Sequence, residues 1–199
     1  MSIQIILASE SAVRAQLLEN AAISFTPQKP RVDEESVKEA LLAEGAKPRD
    51  IADTLAELKA RKVSEKNPDA LVIGCDQVLA FEGGILSKPV SEAEALDHLK
   101  ILRGRQHSLL SAAVIYEAGK PVWRHVGQVH LSMRDASDTY LKDYVIRNWQ
   151  SIRFSVGGYK LEEEGVRLFT RVNGDYFTVL GLPLLELIAY LTLRGILPK

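Results

Sequence analysis

Apolar residues along this chain follow two rhythms. Ile3, Ile5, Ile6 and Leu7 form a short run that stops at Ala8-Ser9-Glu10-Ser11, and Leu71, Val72 and Ile73 form another that stops at Gly74-Cys75-Asp76-Gln77. Short apolar runs ending in polar clusters read as buried strands. Elsewhere the spacing shifts to three and four. Val13, Leu17 and Leu18 make one helical stripe behind Ser9 or Ser11 as N-cap. Residues 35–44 predict a second helix. A third, over residues 51–66 with Asp50 as its cap, places Leu55, Leu58 and Lys62 on neighbouring turns and is stopped by Asn67-Pro68-Asp69.

Downstream, residues 78–81 extend the strand of residues 70–73 as far as Gly83-Gly84. Ser91 and Glu94 form a capping box that opens a helix over residues 92–102. Residues 109–116 and 122–133 predict two strands around Glu117-Ala118-Gly119-Lys120, and residues 138–148 a helix. Residues 167–172 and 176–180 flank Asn173-Gly174, a hairpin signal, and a last helix runs from Pro183 to Gly195. Strands interleaved with helices give an α/β fold. Ligands in such folds bind beyond the carboxyl ends of the strands, where both polar clusters fall.

Composition narrows the chemistry. With 199 residues, 46% of them hydrophobic, the chain has enough apolar material for one domain spanning residues 1–199. The formal charge of −1, from 25 basic and 26 acidic residues, excludes a global field for a nucleic-acid polymer. A small anion needs only local cations. The single cysteine, Cys75, forms no internal disulfide and no zinc site, which fits a reducing compartment. The amino terminus lacks a basic n-region, and Pro183, Glu186 and Arg194 interrupt the most apolar stretch. The expectation is a cytoplasmic protein without a membrane partner, whose last helix docks in the core.

Several residues carry candidate chemistry. Ser9, Ser11 and Arg14 at a helix start can clamp phosphate, or the serines can merely cap while Arg14 is solvated. A carboxylate at Asp76 belongs at the sheet end with a lysine, metal or water beside it, unless Gly74–Gln77 is only a turn. Lys88 is held extended by Pro89. His107 reads as structural, and Glu162-Glu163-Glu164 as a solvated run.

Their order along the chain says more. Leu7-Ala8-Ser9-x-Ser11-x-x-Arg14, Val32-Asp33-Glu34, Leu55-Ala56-x-x-Lys59-Ala60, Gly74-x-Asp76-Gln77 and Lys88-Pro89 come first. Leu102-x-Gly104-x-x-His107, Gly157-Gly158-Tyr159-Lys160, Gly174-Asp175-Tyr176 and Val179-x-Gly181-Leu182-Pro183-Leu184 follow. Nearly the whole chain thus resembles the Maf family of nucleoside triphosphate pyrophosphatases. The resemblance implies an elongated mixed sheet with flanking helices and a cleft between two lobes, as in inosine triphosphate pyrophosphatases. It implies hydrolysis of the α–β phosphoanhydride to a monophosphate and pyrophosphate with Mg²⁺, or Mn²⁺ in its place, and is compatible with a homodimer.

By the same resemblance Asp76 matches the catalytic proton acceptor and Glu34 a magnesium-binding acid. Lys59 and Lys88 match the cleft lysines, and Ser9, Ser11 and Arg14 the phosphate segment. Lys59 takes its role from the resemblance rather than from the helical stripe. Val13, Gln77 and Glu162 stand where the branches of the family differ. Ser11-Ala12-Val13-Arg14 lacks one of the usual arginines. Asp76-Gln77 with Glu162 looks like the branch acting on 7-methyl-GTP, although Val13 replaces that branch's tryptophan. Two alternatives remain at this level: a nucleotide-binding regulatory module without turnover, and an inosine triphosphate-type pyrophosphatase.

Overall fold

A computed structural model describes residues 3–198. One seven-stranded mixed sheet organises them in the order β2-β1-β3-β5-β6-β7, with β4 pairing β3 separately. Strand β1 (Ile5–Ala8) lies parallel to β2 (Thr26–Pro27) and to β3 (Leu71–Phe81). From β3 onward the sheet is antiparallel, through β4 (Gly84–Leu86), β5 (Gln106–Glu117), β6 (Lys120–Met133) and β7 (Phe169–Asn173).

The site originates in a mismatch of strand lengths. Strand β1 stops pairing with β3 at Ala8↔Gly74, and β4 begins pairing only at Leu79↔Leu86. Between them β3 has a free edge at Cys75–Val78, while its other edge stays bonded to β5. Asp76 therefore lies in mid-strand, opposite Ala112 of β5, not in a turn or at the end of its own strand. It is the shorter β1 that ends beside it. Alternation along the strand sends Asp76 to the same face as Val72 and Val78, and Cys75 and Gln77 to the opposite face.

The first face carries α2 (Glu34–Ala43) and α3 (Pro48–Ser64). Helix α3 starts at Pro48 after Lys47, so Asp50 lies in its first turn and is not the cap. Its buried stripe is Ile51, Leu55, Lys59 and Val63, flanked by Ala52, Ala56 and Ala60. Lys59 is thus on the stripe, which the expected grouping of Leu55, Leu58 and Lys62 had rotated away. The alanines let the helix come close to the sheet. At Gly74 any Cβ would meet the Ala56 carbonyl oxygen at 2.2 Å.

The opposite face packs α1 (Ala12–Asn20) and α7 (Leu184–Leu193) around Leu17, Leu18, Ile73, Cys75, Leu187 and Leu191. Pro183 immediately precedes α7. A second lobe gathers α4 (Glu92–Leu102), α5 (Asp138–Ile152) and two 3₁₀ turns, Val156–Gly158 and Glu164–Leu168, around Leu99, Leu131 and Tyr144. Residues 176–180 do not form the second strand of a hairpin. Asp175 accepts the Thr178 N–H at 2.9 Å and nucleates the short helix α6 (Tyr176–Val179). Local capping outweighs the Asn-Gly signal there. No described helix is long and apolar enough to cross a membrane.

Candidate active site

The free edge of β3 is the floor of a cleft of about 600 Å³. All ten sequence candidates line it: Ser9, Ser11, Val13, Arg14, Glu34, Lys59, Asp76, Gln77, Lys88 and Glu162. Its walls come from both lobes, with the β1–α1 loop and α2 on one side and residues 87–88 and 154–162 on the other.

At the floor, the Lys59 ammonium donates to Asp76 Oδ1 at 2.7 Å and reaches Glu34 Oε1 at 3.0 Å. Lys59 and Asp76 are 5% and 6% exposed, so each compensates a charge that would be costly to bury alone. Burial disfavours ionised Glu34, but Lys59, then Lys88 and Arg14, outweigh it and hold its carboxyl below the usual value. Asp76 Oδ2 and Glu34 Oε2 have no hydrogen-bond partner among the described residues. Two carboxylates beside open space suit Mg²⁺, which commonly takes one or two protein carboxylates and completes its shell with water and phosphate oxygens. Among the described residues no group of three acidic, histidine or cysteine side chains offers a fuller cage.

The phosphate segment is more heavily engaged than either sequence reading anticipates. Ser11 caps α1 by accepting the Arg14 N–H at 3.3 Å, and Ser9 Oγ accepts the Ser11 N–H at 3.2 Å. Both hydroxyl hydrogens remain free to donate. Arg14 is not a solvated cation. Its Nε donates to the Gly181 carbonyl at 2.8 Å and its Nη1 to the Cys75 carbonyl at 3.0 Å, which staples α1 to β3 and to the loop after α6. Gly181 permits this approach, with φ +94° and any Cβ only 3.1 Å from Arg14 Nε. Cys75 itself is sealed in the core, and burial pushes its thiol up to about 11, which removes it as a nucleophile.

Gln77, on the other face of β3, donates from Nε2 to the Val179 carbonyl at 2.9 Å, Ser111 Oγ at 3.0 Å and the Thr178 carbonyl at 3.1 Å. Acceptors on the amide nitrogen fix the orientation of the group and leave Oε1 as a hydrogen-bond acceptor. The acidic run divides into three environments. Glu163 binds Ser151 and Lys160. Glu164, hydrogen-bonded by Arg147 and Asn148, is drawn down to about 2. Glu162 faces the cleft and has no partner among the described residues. His107 is buried, bonds the Tyr159 hydroxyl at 2.7 Å and is pushed down to about 4 by burial, in keeping with a structural role.

Three further lining residues receive no role from the sequence. Lys38 sits one turn after Glu34 on α2, a legible spacing, and ties Glu35 to Ser87 at 2.7 and 2.9 Å. Lys160 ends the Gly157-Gly158-Tyr159-Lys160 motif and binds Ser151 at 2.7 Å. Phe154 had no local signal. The cleft thus gathers five cationic and five acidic side chains with fixed amide and hydroxyl groups on an α/β sheet, an arrangement able to receive a polyphosphate together with a divalent cation.

Comparison with known proteins agrees with that reading. Residues 4–193 match the model of the family described as Maf-like protein, and the chain belongs to that family. It is 68% identical over 197 residues, 99% of each chain, to a nucleoside triphosphate pyrophosphatase of Ruegeria pomeroyi. It is 44% identical over 191 residues, 96% of each chain, to a 7-methyl-GTP pyrophosphatase of Brucella abortus. A solved nucleoside-triphosphatase / dITP/XTP pyrophosphatase from Mycobacterium abscessus aligns over 98% of each chain with a TM-score of 0.46 and 15% identity.

Proposed function

We propose that this protein hydrolyses nucleoside triphosphates between the α- and β-phosphates, releasing a nucleoside monophosphate and pyrophosphate. The observation that carries the reading is the ion pair network of Lys59, Asp76 and Glu34 on the cleft floor. A module that only binds nucleotide needs cations for the phosphates, but not two acids gathered around one buried ammonium. The family relatives named as pyrophosphatases support the same reaction.

Each residue has a definite task. The Ser9 and Ser11 hydroxyls, the amides at the start of α1 and the remaining Arg14 nitrogen receive phosphate oxygens. Lys88 closes over the polyphosphate from the second lobe, and Lys59 balances charge on the leaving pyrophosphate. Asp76 Oδ2 accepts the proton of the attacking water. Asp76 is held in mid-strand with Oδ1 fixed by Lys59, so that oxygen returns to one position at each turnover. Glu34 and Asp76 would hold Mg²⁺, which supplies charge neutralisation at the phosphates.

The base is read by acceptors. Gln77 Oε1 and the Glu162 carboxylate accept hydrogen bonds, which suits the N1–H and exocyclic amine of a guanine edge better than the single donor of thymine or uracil. A guanine nucleotide, 7-methyl-GTP included, is therefore the favoured substrate. Turnover of a nucleotide panel, with monophosphate and pyrophosphate quantified together, tests the reaction. Equal amounts of the two are expected. Orthophosphate and a diphosphate as first products would overturn it.

A further inference from the structure

We infer that Phe154 is the platform on which the base of the bound nucleotide stacks, an assignment that rests on the nucleotide reading of the cleft. Two aromatic side chains line the cleft, Phe154 and Tyr159. Tyr159 is 4% exposed, hydrogen-bonded to His107 and packed edge-on against Phe169 at 4.8 Å, so its ring is part of the core. Phe154 is 67% exposed. Among the described residues it is the one accessible aromatic ring in the cleft.

A lone exposed phenylalanine means little by itself. This one is presented by a segment with a defined path. It follows the end of α5 and precedes Gly157 and Gly158, both in the left-handed region at φ +74° and +70°. The turn lies so close to β3 that any Cβ on Gly157 would meet Leu79 Cδ1 at 2.4 Å. The Arg153 guanidinium lies 5.2 Å from the Phe154 ring centre and 5.6 Å from that of Trp149, joining the ring to α5. The chain thus holds an apolar ring in a cleft that otherwise offers charges and hydrogen bonds.

The division of labour follows from chemistry. The β1–α1 loop and the lysines meet phosphates, and neither contributes a flat apolar surface to a base. Val13, on α1, is aliphatic and offers no ring. Every base has a π face, so a stack gives affinity with little selectivity. Gln77 and Glu162 then supply the discrimination. A cationic methylated purine gains more from a ring than a neutral one does.

The test compares Phe154→Ala, Phe154→Trp and wild type, using GTP, 7-methyl-GTP and UTP as substrates and inorganic tripolyphosphate, which has no base, as a competitive inhibitor. Phe154→Ala should raise KM for all three nucleotides by about 5- to 100-fold, most for 7-methyl-GTP, with kcat changed less than about twofold. Tripolyphosphate inhibition should stay as in wild type. Phe154→Trp should restore KM and add a fluorescence change on nucleotide binding that tripolyphosphate does not produce. Unchanged nucleotide KM in Phe154→Ala would overturn the stacking role. So would a tripolyphosphate inhibition constant weakened as much as KM, since that marks a collapsed loop. A wild type that neither cleaves nucleotides nor binds tripolyphosphate would remove the functional reading and the stack together.

Discussion

The two sides of the cleft are built on different principles. On the floor, Lys59, Asp76 and Glu34 hold one another at 2.7 and 3.0 Å, and Arg14 is spent on the Gly181 and Cys75 carbonyls. On the second-lobe wall, Lys88, Phe154 and Glu162 project into solvent, with Phe154 67% exposed. Reacting groups gain from being fixed before the substrate arrives, because misplacement of about 1 Å can cost a hundredfold in rate. Groups on the wall need only meet a ligand once it is bound, whereas Gln77, on β3, is fixed beforehand by the Val179 and Thr178 carbonyls. On the proposed assignment, wall residues such as Glu162 can change without disturbing the Lys59–Asp76–Glu34 network below.

The largest expected effect breaks the floor. Asp76→Asn should lower kcat by roughly a hundred- to ten-thousand-fold with a smaller change in nucleotide affinity, measured as pyrophosphate release. Near-normal turnover would remove Asp76 as proton acceptor. Lys59→Met should leave two acids around a missing cation and destabilise the protein by about 3 to 5 kcal/mol in urea unfolding, as breaking a buried pair does. An unchanged midpoint would show that the network is dispensable for folding.

Folding stability should also fall under acid. His107 is pushed down to about 4, so the folded state resists its protonation while the unfolded chain takes up a proton at about 6.5. Stability is therefore full above pH 6.5, falls as pH drops from 6.5 to about 4, and loses no more from this residue below that. The difference corresponds to about 3 kcal/mol. His98, also lowered by burial, adds in the same direction. Glu34 and Glu164, both lowered, contribute only as pH falls below 4.5. Urea midpoints at pH 7, 5.5 and 4.5, in wild type and His107→Gln, should show a shallower decline in the variant. Parallel declines would assign the effect elsewhere.

The smallest change sharpens the wall. Glu162→Gln should reduce kcat/KM for guanine nucleotides by about five- to tenfold more than for UTP, because the amide is a weaker acceptor than the carboxylate. Equal loss for all substrates would return Glu162 to the role of a solvated loop residue.

Much of this site was legible in the chain because its signals are local or ordered. Ser11 capping α1, Ser91 capping α4 and the apolar runs of β1 and β3 depend on neighbours within a few residues. The succession of motifs from Ser9 to Leu184 identified the family through their order. Lys38 was within reach as well, one helical turn from Glu34.

What the sequence could not decide depends on contacts between distant segments. Asp76 reads as a residue at a strand end even though residues 78–81 extend the same strand, because only the pairing with β5 through Ala80↔Ser108 shows that the strand is unbroken across it. Lys59 looked peripheral to its helix, because a buried ammonium is stabilised only once Asp76 and Glu34 arrive from other elements. Arg14 became a staple through a carbonyl 167 residues away. Phe154 became a wall of the cleft through the packing of its glycine turn on Leu79. Periodicity and caps act over a few residues and are written locally. The partners of a buried charge and the exposure of a ring exist only after the chain has closed on itself.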